Sequence, residues 1–167
     1  SLALNSSGNI VAAGSNRHDG TGSNGVNIGH VRVYRYNSSA RTWNQLGVDI
    51  NGENSSDISG SSVSLSSDGT ILAIGSPGSD TSGTDSGQVR IYKYDGTRWN
   101  KVGDNINGRG ASQKFGYCVS LSCDGSRFVA GGGQSGNNPV RVYETLENLS
   151  SYTCPTIPVV DPPTTPV

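Results

Sequence analysis

The stretch VSLSSDGTILAIGSP, residues 63–77, returns in altered form twice more in the chain. LALNSSGNIVAAGS fills residues 2–15 and VSLSCDGSRFVAGGG residues 119–133. In the central copy Val63 and Leu65 alternate with Ser64 and Ser66, the period of two expected of a half-buried strand. Ser-Ser-Asp-Gly then predicts a tight hairpin turn, because Asp-Gly readily adopts the backbone angles such turns need. TILAIGS follows as a second strand, apolar enough to be buried on both faces. After a long Gly/Ser/Asp loop comes a third strand, with Val89 and Ile91 on one face and Arg90, Tyr92 and Tyr94 on the other. YDGT turns the chain into a fourth strand holding Trp99 and Val102. No segment carries helical periodicity over a useful length.

Further landmarks recur outward from this stretch. Gly8, Gly69 and Gly125 mark the same turn, so the periods are 61 (69 − 8) and 56 (125 − 69) residues. GHVRVYRY at 29, GQVRIYKY at 87 and NPVRVYET at 138 repeat the third strand. RTWNQLGVDING at 41 and TRWNKVGDNING at 97 repeat the fourth. Such periods predict an all-β fold of three tandem four-stranded antiparallel sheet units, propeller-blade-like, followed by an extended Pro/Thr-rich tail. The expected divisions are residues 1–58, 59–114 and 115–153 for the units and 154–167 for the tail or linker. The third unit reads as incomplete and capping: no Trp phrase follows its VRVY, and Tyr152 marks a remnant fourth strand. Three units are fewer than the roughly four to eight blades of a closed propeller. The end sheets therefore call for cover from missing blades, a compact three-unit packing, or a strand from a neighbouring copy.

The pattern SxSxDGxxxAIGxP…GxVRVYxYxxxxWxQxGxDIxG resembles the extracellular β-propeller-type repeats grouped with the FG-GAP and WD-like families, found in surface proteins of algae, protists and marine bacteria. The resemblance covers residues 1 to about 145. It implies a repeat type rather than an activity. It also implies an acidic calcium loop, Asp-x-Asp-x-Asp-Gly, but NRHDGTGSNG and GSDTSGTDSG hold too few spaced carboxylates for one. No cofactor and no metal is expected, calcium in those Gly/Ser/Asp loops being the one candidate.

Composition narrows the function classes. The 167 residues carry 12 basic and 13 acidic side chains, so there is no basic field for nucleic acid or an anionic membrane. No apolar run approaches the ~18 residues of a membrane span. Gly is abundant at 24 residues and only 15% of residues are charged, so solubility rests on Ser, Thr, Asn and Gly. That balance suits a secreted or cell-surface protein. The absence of Met and the strand-like start SLAL suggest a processed or truncated piece of a longer product.

No residue is put forward as catalytic, and the chain is not expected to be an enzyme. GTGSNG at 20–25 matches a dinucleotide fingerprint literally but lies in a strand-to-strand loop. HExxH, GxSxG and Cys/His metal spacings are lacking, and TDSGQ around Ser86 has no accompanying His. His30 aligns with Gln88 and Pro139, so its place does not demand an imidazole. The recurring pairs Arg32/Tyr34, Arg90/Tyr92 and Arg141/Tyr143 read as a scaffold ladder, and Trp43 and Trp99 as core or edge residues rather than sugar platforms. Cys118 and Cys123 stand where the second unit has Ser62 and Ser67, and Cys154 follows. One disulfide with one thiol left over is expected; the pairing is open, and three free thiols are the alternative. Sequons at Asn5, Asn37, Asn54 and Asn148 offer N-glycosylation, with Asn37 and Asn54 in turns. In the tail, Pro155, Thr156, Pro158, Pro162, Pro163, Thr164, Thr165 and Pro166 favour an extended conformation. The resemblance to wall-type glycoproteins makes them candidates for hydroxylation and O-glycosylation.

The expected function is a non-catalytic, extracellular, glycosylated structural module. Its preferred form is a subunit of a surface fibre or filament that assembles through sheet units and the extended tail. Its partners would be other copies of itself, or adjacent blades of a longer chain, plus covalent glycans. One alternative is a glycan- or protein-binding adhesin or lectin-like fragment. The other is an accessory domain of a larger secreted enzyme.

Overall fold

The computed structural model describes residues 1–19, 25–133 and 140–144, which form three antiparallel sheets and no helix. The first sheet runs β1 (Leu2–Leu4), β2 (Ile10–Ser15), β3 (His30–Asn37) and β4 (Thr42–Gln45) in sequence order, and β5 (Ile50–Asn51) also pairs with β3. The second runs β6 (Ser62–Leu65), β7 (Ile71–Ser76), β8 (Gln88–Tyr94) and β9 (Trp99–Asn107). The third runs β10 (Cys118–Leu121), β11 (Arg127–Gly131) and β12 (Arg141–Glu144). The four-strand expectation holds in the second unit. In the first, the fourth strand is split into β4 and β5, and in the third three strands lie among the described residues. The remnant strand expected around Tyr152 and the tail from 154 fall outside the described residues.

The split has a local cause. Gly47 and Gly103 occupy the same place in the two Trp phrases, and both take a left-handed φ, 71° and 66°. Around Gly103 the strand absorbs this as a bulge, with the register shifting between Val89 and Ile91, and β9 continues. Around Gly47 the pairing stops and resumes at Ile50 opposite Val31.

The turn after the first strand of each unit is wider than the sequence suggests. Gly69 alone has positive φ, 74°, and its N–H donates to the Ser66 carbonyl at 2.9 Å. A two-residue type I′ hairpin needs positive φ at both central residues, so Asp68 does not serve as one of them. Instead the Asp68 carboxylate accepts from Ser66 Oγ at 2.6 Å and from the Thr70 N–H at 2.9 Å. Ser66 Oγ in turn accepts from the Ile71 N–H at 2.9 Å. The third unit repeats this with Ser122, Asp124 and the Arg127 N–H. In the first, Asn5 replaces the serine, its Oδ1 accepting from the Ile10 N–H at 2.9 Å. The glycine is the constant part, at φ 69°, 74° and 70° in Gly8, Gly69 and Gly125. By contrast, YDGT forms a two-residue hairpin: Asp95 and Arg98 close it, with Gly96 at φ 101° in the first central position.

Successive sheets pack face to face, and two apolar layers result. One joins Ile10, Ala12, Val31, Val33 and Ile50 of the first sheet to Val63, Leu65, Leu72, Ile74 and Tyr92 of the second. The other joins Ile71, Ala73, Val89 and Ile91 to Phe115, Phe128 and Ala130 of the third unit. The second sheet contributes both faces, which is why every residue of β7 is buried. Strand alternation assigns the faces: even-numbered Leu72 and Ile74 look back to the first sheet, and odd-numbered Ile71 and Ala73 look on to the third.

Candidate functional site

Two contacts repeated from unit to unit, and a third at the first junction, join each sheet to the one before it. The first is a knob over a glycine. A methyl group at Gly69 would stand 2.7 Å from Ile10 Cδ1, and one at Gly125 would stand 2.8 Å from Ile71 Cγ1. The turn glycine thus serves packing as well as backbone angle. The second is an arginine clamp. Arg90, fully buried, donates to the Asn51 carbonyl at 3.0 Å, the Tyr92 hydroxyl at 3.0 Å and Ser59 Oγ at 2.7 Å. Arg141 donates to the Asn107 carbonyl at 3.3 Å and to Gln113 Oε1 at 3.1 Å, its guanidinium 4.8 Å from the Phe115 ring centre. Asn51 and Asn107 are the same residue of the two Ile-Asn-Gly phrases. The third contact is Trp99, whose indole N–H donates to the Leu46 carbonyl of the first unit at 3.1 Å.

The recurring Arg/Tyr ladder is therefore an inter-sheet fastening in two of its three copies, and Arg32 and Tyr34 depart from it. Arg32 belongs to the first sheet and turns to its own unit, where it forms a bidentate pair with Asp49 at 2.9 and 2.8 Å. That hydrogen bond, against partial burial and with help from Gln45, holds the Asp49 carboxyl at about 2. Tyr34 stays beside Arg32, cross-strand from Val11 and Gln45, and is half-buried. Its counterparts meet a core: Tyr92 is buried between the first two sheets, and Tyr143, half-buried itself, stacks on Phe128 at 5.0 Å and packs against the second apolar layer. The physical reason is the face. Val31 and Val33 of β3 look on to the second sheet, so Arg32 and Tyr34, alternating with them, look the other way.

Other members of the first unit differ in the same sense. Trp43 lies tilted against Tyr36 at 5.3 Å, as Trp99 lies against Tyr94 at 5.2 Å, but Trp43 stays 45% exposed whereas Trp99 is half-buried. Around Gly8 there is open space where its two counterparts receive an isoleucine. Leu2 and Leu4 align with the buried Val63 and Leu65, yet they are 75% and 61% exposed. Sequence reasoning found the arginines, tryptophans and turn glycines as repeat landmarks but missed the pairing of Arg90, Arg141 and Trp99 with Asn and Leu carbonyls of the neighbouring unit. The recurrence of the Ile-Asn-Gly phrase was the available signal.

The remaining expected residues fall in different places. Asn5 is buried; its Nδ2 donates to Ser7 Oγ and Asn9 Oδ1, both at 3.0 Å, so this side chain serves its turn. Asn37, at the end of β3 ahead of a turn, and Asn54, in a bend, are exposed. Asn148 and the tail from Pro155 to Pro166 lie outside the described residues, as do Gly20 and the residues up to Asn24 of the GTGSNG stretch. Cys123 is disulfide-bonded, Cys118 is free and exposed, and Cys154 lies outside the described residues. Tyr92, beneath Arg90, has its hydroxyl pushed up by burial. His30 is buried with its ring edge-on to His18 at 4.3 Å. Burial, then the nearby His18 and Arg32, lower its affinity for a proton. Among the described residues, no three His, Cys, Asp or Glu side chains converge as a metal site requires, and no helix is long and apolar enough to cross a membrane.

The fold and contacts define a tandem array of antiparallel sheets, fastened unit to unit by one repeated set of side chains. No protein-family model matches the chain, and no curated protein matches it.

Proposed function

We propose that this chain is a non-catalytic extracellular structural module, a glycosylated subunit of a surface fibre or filament built from propeller-type sheet units. The observation that carries this reading is that both ends of the array turn apolar sheet faces outward. Leu2 and Leu4 are exposed at one end, and Val140 and Val142, at 72% and 71%, at the other. The same positions are buried or partly buried between the sheets inside the array. Exposed contiguous apolar surface on a sheet is the usual mark of an interaction face. Weak overall charge and the exposed sequons at Asn37 and Asn54 fit an extracellular setting. The proline/threonine tail supplies a spacer able to reach a neighbour.

Electron microscopy of the native material, with intact-mass analysis of the same sample, tests this reading. Regular filaments and a mass well above 17.3 kDa per chain are the expected result. Monodisperse particles at the unmodified mass would overturn it in favour of a soluble binding module.

A further inference from the structure

We infer that the outward face of the first sheet is a specific acceptor for one more sheet unit of the same pattern, in tandem ahead of Ser1. The third sheet, in contrast, lacks two parts of the matching donor set. This deepens the structural reading above and rests on it. The internal junctions state what such a face requires. Each acceptor face presents a turn glycine, an apolar patch on its first two strands and an arginine on its third, and the second sheet adds the Trp of its fourth. Each donor face supplies an isoleucine knob, two β-branched residues on its third strand and an Asn carbonyl, with a Leu carbonyl at the Trp. The first sheet holds the whole acceptor set: Gly8 with open space over it, Leu2, Leu4 and Val11, Arg32, and Trp43. None of these meets the partner that its counterparts in the second sheet meet. Arg32 is held instead by Asp49 within its own unit.

The donor must carry the knob and both carbonyls, which identifies its chemistry: Ile-x-Ala, Val-x-Val or Val-x-Ile, and a Trp phrase ending Ile-Asn-Gly. A second copy of this chain could offer only its third sheet, because the donor faces of the first two are occupied. That sheet departs from the set. Arg127 stands where Ile10 and Ile71 stand in the other units, exposed and paired with Glu144 at 3.2 Å. No Ile-Asn-Gly phrase follows its third strand in the sequence. A charged residue at the knob position cannot seat over a turn glycine as an isoleucine does. The array is therefore polar: the first sheet keeps the whole acceptor set, while the third offers the exposed Val140 and Val142 without the isoleucine knob.

The test adds the donor to the full chain. A copy of residues 1–61 fused ahead of Ser1 keeps the 61-residue period and places an Ile10 knob over the original Gly8. The extended protein should unfold in one transition with a midpoint several degrees above that of the parent. Emission of the original Trp43, read with the other tryptophans replaced by Phe, should shift to the blue. Changing Ile10→Arg in the added copy alone should remove most of the gain. Two transitions with the parent midpoint unmoved and Trp43 emission unchanged would overturn the inference. Sedimentation of the unextended chain supplies the other arm. Concentration-dependent self-association abolished by Leu4→Arg would show that a second copy covers this face, and would overturn the inference while leaving the fibre reading intact.

Discussion

Glycine carries unequal burdens at one recurring position. Gly8, Gly69 and Gly125 share a left-handed φ near 70°, which costs a residue with a Cβ about 1 kcal/mol. At Gly69 the Cβ would also press on Ile10, and overpacking typically adds about 1–3 kcal/mol. Gly69→Ala should therefore destabilise the protein clearly more than Gly8→Ala, and paired urea unfolding curves read the difference. His30 provides a second comparison. Burial lowers its proton affinity, so in this region the unfolded chain binds more protons than the folded one. Stability should start to decline as pH falls below the ordinary histidine value of about 6.5. His30→Gln, the residue found at the aligned position 88, should remove that early decline from a plot of thermal midpoint against pH.

Turns and strands set the next level of organisation. The turn carboxylates act as caps whose ionised form is bonded. Ser122 and then Ser126 hold Asp124 at about 2, the backbone N–H groups of Arg98 and Thr97 hold Asp95 at about 2, and Arg32 holds Asp49 there. At Asp68 burial opposes ionisation, but the bonds from Ser66 and Thr70 outweigh it. Asp57 runs the other way, with burial raising it despite the Asn54 and Glu53 N–H groups. For the depressed groups the sign is plain. Their contribution is complete above the unfolded carboxylate value of about 3.9 and is lost as pH falls toward 2. Thermal midpoints should show a second, steeper loss in that window, and Asp124→Asn should make it shallower. β7 shows the other face of element design. Its run Ile71-Leu72-Ala73-Ile74 lacks polar alternation because both of its faces meet another sheet.

Coupling between sheets is where the molecule as an assembly is decided. Arg90 belongs to the second sheet but donates to the Asn51 carbonyl of the first and to Ser59 at the junction, beside Glu53 at 3.7 Å. Removing it leaves buried acceptors unmet, and hydrogen bonds to a charged group are worth about 1.5–3 kcal/mol each. Arg90→Ala should cost on the order of 3 kcal/mol and broaden the unfolding transition as the first sheet loses its hold on the second. Arg32→Ala removes a half-exposed pair within one unit, so it should lower the midpoint less than Arg90→Ala and leave the width unchanged. Equal effects of the two substitutions in calorimetry would contradict the clamp.

The strands and their order within each sheet were legible in the residue pattern. Period-two alternation, turn glycines and the returning Trp phrase are local properties, and local chemistry dictates them. The doubly apolar stretch at 71–74 even announced a strand covered on both sides. Other features depend on a neighbour distant in sequence. Three arginines with the same context differ in fate because only two have a preceding Asn carbonyl in reach. Tyr34 and Tyr92 share a motif, yet only Tyr92 has a sheet in front of it. Asn5 reads as a sequon, but it is buried because its amide replaces a serine in the turn. Three glycines of nearly one φ differ because only two lie under an isoleucine. Periodicity reports which face of a strand is apolar, while contact with the next sheet determines whether that face is covered.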